Sequence, residues 1–110
     1  MDWKKHLEDS SGNLAEFRRS HSEAGEGFSD LHCSTMGKGA LSRVEKELIA
    51  LGIGISKQCV DCIGFHIQAA IKVGATREQI CETIGVAMMM GGGPAYMYGV
   101  KALEAYDQLV

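Results

Sequence analysis

Two thiols, Cys59 and Cys62, stand three residues apart, and an imidazole, His66, follows four residues after the second. Positions i, i+3 and i+7 share one face of a helix, so a helical segment here carries both thiols and the base along one stripe. Ile63, Ala70 and Val73 fall beside that stripe, and Asp61, Gln68 and Lys72 fall opposite it. The segment reads as an amphipathic helix with the dithiol and the base on its inward face. A Cys-x-x-Cys pair at a helix start suits redox work, because the helix dipole and the free backbone N–H groups stabilise a thiolate. The second thiol is close enough to close a disulfide after attack. His66, one turn beyond Cys62, is placed to take the thiol proton. Glu47, on the preceding helical segment, is the candidate to orient His66 or pass the proton on. Proximity to the helix start favours Cys59 as the nucleophile; proximity to His66 favours Cys62.

Other chemistries compete for the same residues. A zinc site would find three ligands of suitable type in Cys59, Cys62 and His66, but such sites usually take four, often as two separated pairs. Cys33 and Cys81 are isolated and form no second pair. Alternatively, Cys59 and Cys62 are small buried hydrophobes with no chemistry, a reading that a histidine on the same face weakens. For Glu47 the plain alternative is a side chain whose stem packs and whose carboxylate reaches water. Periodicity by itself favours that alternative.

The elements that must hold these residues read as helices. Long β-branched runs and hairpin turn pairs are missing, and the chain has one Pro. Residues 1–12 are polar, with a break at Ser10-Ser11-Gly12, and Asn13 with Glu16 resembles a capping box for a helix from about Leu14. Leu14, Phe17, Ala24, Phe28 and Leu31 would share a side of it, weakened by Gly25 and Gly27. Met36-Gly37-Lys38-Gly39 reads as a loop. Ser42 with Glu45 opens a helix to about Ile55, whose apolar stripe is Val44, Leu48, Leu51 and Ile55, with Glu47 at its edge. Ser56 is the expected N-cap of the dithiol helix, which ends near Gly74. Thr76 with Gln79 caps the next helix, which turns apolar all round from Val86 to Met90. Gly91-Gly92-Gly93 ends it and Pro94 suits the first turn of a last helix with a small face of Ala95, Gly99 and Ala102.

At 110 residues the chain suits one domain, with N-terminal helices over 1–40 and a core over 41–110. A net charge of -3 without a basic cluster argues against nucleic acid or an anionic membrane as partner. No apolar run is long enough to span a bilayer. The N-terminus does not read as a signal peptide. A cytoplasmic setting is expected, where four Cys point to chemistry before a disulfide scaffold.

The order Glu47-Leu48-Ile49-Ala50-Leu51, Cys59-x-x-Cys62-x-x-x-His66, a Gly-Ala turn and Thr76-x-x-Gln79-Ile80 resembles the carboxymuconolactone decarboxylase family, in its alkyl hydroperoxidase D-like branch. The resemblance covers residues 40–90 well and the first forty weakly. It implies an all-α helical bundle acting as a peroxidase or thiol–disulfide oxidoreductase without a bound cofactor. Carried over, Cys62 would attack the peroxide, Cys59 would resolve the sulfenic acid as a disulfide, and His66 with Glu47 would relay the proton. Peroxide would be the substrate, and a dithiol or thioredoxin-like protein the electron donor. The family name also suggests a decarboxylase or lactone-processing activity, which would leave the dithiol idle. One departure is Asp61, where family members often carry a histidine or an aromatic; a carboxylate close to a thiol disfavours the thiolate, an effect reduced by the helical wheel, which sets Asp61 on the face of Gln68 and Lys72, away from the thiols. The apolar helix surface exceeds what one small bundle covers, so self-association is expected: a homohexamer first, as is common among small members of that family, and a trimer second.

Overall fold

Helix starts follow capping chemistry. The computed structural model describes residues 1–110 as five helices, α1 (Trp3–Ser20), α2 (Ser22–Met36), α3 (Arg43–Ser56), α4 (Val60–Lys72) and α5 (Arg77–Leu109), with no strand. At the start of α3 the Ser42 hydroxyl accepts from the Glu45 N–H at 3.1 Å, and the Ser42 N–H donates to the Glu45 carboxylate at 2.8 Å. That backbone N–H, helped by the Ser42 hydroxyl, holds the Glu45 carboxyl below its usual value. Thr76 and Gln79 form the same reciprocal box at the start of α5.

The N-terminal region departs from the sequence-based expectation. Instead of a break at Ser10–Gly12 and a start near Leu14, α1 begins at Trp3 and runs unbroken to Ser20. Asp2 is its N-cap and accepts from the Lys5 N–H at 3.1 Å. The cause is tertiary. Trp3 and Leu7, four residues apart, are both buried. The Trp3 indole N–H donates to Glu104 at 2.6 Å and its backbone N–H to Gln108 at 2.9 Å. Anchoring the ring outweighs the weak helix propensity of the Ser-Ser-Gly stretch. The break between α1 and α2 falls at His21, and Gly25 and Gly27 lie inside α2.

The long α5 is a hairpin in space. Gly92 has φ 69° and ψ -150°, outside the helical region, and Pro94 follows at the start of the second half. A straight helix would separate Arg77 from Asp107 by about 45 Å. Instead the Arg77 guanidinium donates to both Asp107 carboxylate oxygens at 2.9 and 3.0 Å. Those hydrogen bonds hold the Asp107 carboxyl below its ordinary value. The halves touch closely where side chains are small: a Cβ on Gly99 would lie 2.5 Å from Ile84 Cγ2.

The core lies among α3, α4 and α5, with Leu51, Ile55, Ile63, Ile67 and Ile80 fully buried, and Trp3 joins it from α1. By contrast, α2 has no buried residue. It packs along the outer part of α1 and leaves Phe28 71% exposed. The radius of gyration is 14.1 Å, against about 13 Å for a compact chain of this length, as a projecting helical pair requires.

Candidate functional site

The site is assembled where α3 hands the chain to α4. Ser56, expected to cap α4, is the last residue of α3. The chain turns through Lys57 and Gln58, the latter in the left-handed region at φ 56°. The Cys59 N–H then donates to Gly54 O at 3.0 Å, which ties the turn back to α3. Cys59 itself is the N-cap of α4, and its sulfur accepts from the Cys62 N–H at 3.2 Å. The two sulfurs are joined in a disulfide, with a Cα separation of 5.2 Å. The close approach of α3 behind the pair depends on Gly54, whose added Cβ would stand 3.3 Å from that of Cys62.

The thiols do not lie on the inward face of the helix. Cys62 is exposed and Cys59 half-buried, while Ile63, Ile67 and Ala70 face the core. The Cys59–Cys62–His66 stripe runs along the border of the core, one residue step, about 100°, from the buried stripe. This border position leaves the sulfurs open to solvent and lets His66 reach across to α3.

There His66 Nδ1 meets the Glu47 carboxylate at 2.7 Å. Glu47 is 7% exposed and is the one charged side chain in the buried set. Its carboxylate does not extend to water, as periodicity by itself favoured; it is held beneath the imidazole. The other ring nitrogen, Nε2, has no protein partner. The ring sits one turn beyond Cys62 on the same helix, on the Cys62 side of the helix surface.

Cys33 and Cys81 are both exposed and free, and neither belongs to this cluster. No group of three or more His, Cys, Asp or Glu side chains is arranged to hold a metal ion. Two further residues, His6 and Ser10 of α1, come against Asp61 between the two cysteines. Sequence reading missed them, because they lie more than fifty residues away in a stretch read as polar and broken at Ser10–Gly12, ahead of a helix expected from about Leu14. Asp2 followed by the Trp3–Leu7 pair was the local signal that α1 starts early enough to reach the site.

The model of the carboxymuconolactone decarboxylase family matches residues 22–105. A protein of that family from Legionella pneumophila has a solved structure with a TM-score of 0.94 to this chain; it is 44% identical, over 99% of this chain and 98% of its own. A second family member, from Thermotoga maritima, for which a part in antioxidative response has been suggested, gives a TM-score of 0.74 at 26% identity, over 88% of this chain and 89% of its own. Among sequences, a Cupriavidus necator protein is 45% identical over 71 residues, and the match spans 63% of its length and 64% of this chain. A protein of the cox locus of Paracoccus denitrificans is 37% identical over 99 residues, 90% of this chain and 89% of its own. No helix is long and apolar enough to cross a membrane.

Proposed function

The chain belongs to the carboxymuconolactone decarboxylase family, and we propose that within it the protein is a thiol-dependent peroxidase or disulfide oxidoreductase working through Cys59 and Cys62. The observation that carries this reading is a dithiol pair at a helix N-terminus, one turn from an imidazole held by a buried carboxylate. The antioxidative part suggested for the Thermotoga protein supports the same direction. A decarboxylase would leave the thiol pair without a role.

In this reading the Cys62 thiolate attacks a peroxide oxygen. An S–O bond forms as the O–O bond breaks, and the leaving alkoxide takes a proton delivered through His66. Cys62 is left as a sulfenic acid. The Cys59 thiol then attacks that sulfur and closes the disulfide, and the expelled oxygen leaves as water with the Cys59 proton. Two electrons and two protons from an external dithiol, of small-molecule or thioredoxin-like kind, restore both thiols. The same pair, entered at the exposed Cys62, serves disulfide exchange when a protein disulfide replaces peroxide. Assaying the reduced protein with a dithiol against hydrogen peroxide, an organic hydroperoxide and a model protein disulfide tests the proposal. Inactivity on all three overturns it.

Chemistry confined to one pair has a direct consequence. Mild peroxide should yield the Cys59–Cys62 disulfide as the main product, with Cys33 and Cys81 still open to alkylation. Peptide mass mapping reads this, and a dominant Cys33–Cys81 bridge would contradict it.

The protein should also assemble with copies of itself. Met89 and Met90 on α5 are about three-quarters exposed, and Ile49 and Ile53 on α3 about half. Met90, Ile49 and Ile53, together with Val86, border an apolar groove of about 520 Å³. A second groove of about 620 Å³ lies between α1 and α2, lined by Leu14, Phe17 and Phe28. Apolar surface on this scale is unfavourable in water and self-complementary assembly removes it. A homohexamer is the first expectation and a trimer the second. Light scattering behind a sizing column should give a mass of several chains, whereas 11.9 kDa at micromolar concentration would rule assembly out.

A further inference from the structure

Asp61 occupies the first turn of α4, between the two cysteines, and is half exposed. A bare carboxylate there offsets the positive potential of the helix N-terminus and so disfavours a thiolate on Cys62, the next residue. The structure does not leave it bare. His6 Nε2 contacts one Asp61 oxygen, and the Ser10 hydroxyl donates to the other at 3.1 Å. Both partners come from α1, four residues apart on one face.

This placement is built into the packing. Trp3 and Leu7 lie against α4 at Gly64, where an added Cβ would stand 2.7 Å from Leu7 Cδ2 and 2.9 Å from the Trp3 ring. Gly64 is three residues, nearly one turn, beyond Asp61. Seating the two buried side chains at Gly64 therefore delivers His6 and Ser10 to Asp61. Asp61 is the charged group that α4 brings to His6. From α5, Glu104 and Gln108 go to the Trp3 amide and indole and to the chain start. On α1 itself, Lys5 pairs with Asp9, and the Asp2 carboxylate caps the helix.

We infer that His6 is a positioning residue for the dithiol: its imidazolium neutralises Asp61, so that Cys62 keeps the thiolate stabilisation of the helix N-terminus. Asp61 departs from the pattern of the resembled family in a direction that disfavours the thiolate; the His6 contact offsets that charge. The inference rests on the redox reading of Cys62 for its purpose, but its test does not use turnover. Histidine is the side chain whose charge changes nearest neutral pH, so the test compares two pH values.

The test is the rate of Cys62 alkylation by iodoacetamide in the reduced full-length protein, followed by peptide mass at pH 6 and pH 8.5. His6→Gln should slow it at pH 6 by about three- to tenfold, the thiolate fraction lost when one nearby negative charge is unmasked at the surface. At pH 8.5 the two proteins should converge. Adding Asp61→Asn to His6→Gln should return the pH 6 rate to at least the wild-type value. The His6 ring lies edge-on to Trp3, 6.0 Å between centroids, so docking of α1 is read instead by hydrogen exchange of the α1 amides, whose protection should not change. The inference is overturned if Asp61→Asn does not rescue, if the rate deficit is the same at both pH values, or if the deficit comes with lost amide protection in α1. A protein that passes these tests but turns over neither peroxide nor disulfide would contradict the redox reading and leave the His6 assignment standing.

Discussion

Cys62→Ser should abolish dithiol-dependent peroxide consumption. Serine keeps the size and places a hydroxyl that does not ionise in the neutral range, so the nucleophile is lost. The substitution costs the fold little, because Cys62 is exposed and packs in no core cluster. Cys59→Ser should behave differently. Cys62 would still attack, so without added dithiol one equivalent of peroxide should be consumed in a burst, after which the enzyme stalls as a sulfenic acid with no partner thiol nearby. A sulfenic-acid trap should label that variant and not Cys62→Ser. The asymmetry separates the two thiols. Cys59 is the N-cap with its sulfur on the Cys62 N–H, half-buried against α3; Cys62 is open to solvent and lies one turn from His66. If Cys59→Ser abolished the burst and Cys62→Ser retained it, the roles of the two thiols would be reversed.

The parts of this site that were legible from sequence are those set by local periodicity. The Cys59–Cys62–His66 spacing places three groups on one stripe whatever surrounds the helix. The capping boxes at Ser42 and Thr76 mark where α3 and α5 begin. The glycine triplet and Pro94 marked the turn in α5, and the small face at Gly99 marked where its halves close up. What sequence could not supply was which side of the stripe meets the core. Ile63 and Ile67 carry more apolar surface than the thiols and, with Ala70, take the buried position, which leaves Cys62 at the surface. Nor could it supply contacts between distant segments. The early start of α1 depends on Trp3 reaching Glu104 and Gln108 near the other end of the chain. The contact of His6 with Asp61 follows from that docking. Glu47 was ambiguous for the same reason: only the placement of α4 beside α3 brings an imidazole over its carboxylate.

Loss of the His66–Glu47 pair should slow peroxide reduction by about 10²-fold or more, the range typical of a missing general acid–base group. His66→Ala removes the ring that lies one turn from Cys62. Glu47→Gln is the more discriminating change. An amide oxygen still accepts from His66 Nδ1 across the present 2.7 Å, so the ring orientation survives while the negative charge beneath it is lost. If Glu47 serves to stabilise the protonated imidazole and pass the proton on, Glu47→Gln slows the reaction although the fold is intact. If it serves only to hold the ring, Glu47→Gln stays near wild type. The double variant adds a further criterion, because residues acting as one unit are non-additive: removing both should cost little more than removing His66. Single-turnover rates with reduced protein read the chemical step apart from recycling by the dithiol. Thermal unfolding belongs beside them, since His66→Ala leaves the buried Glu47 carboxylate without its partner and lowers stability for that reason. Glu47→Gln carries no such penalty. Full wild-type rate in that variant would make Glu47 a structural residue and leave His66 to act without a relay.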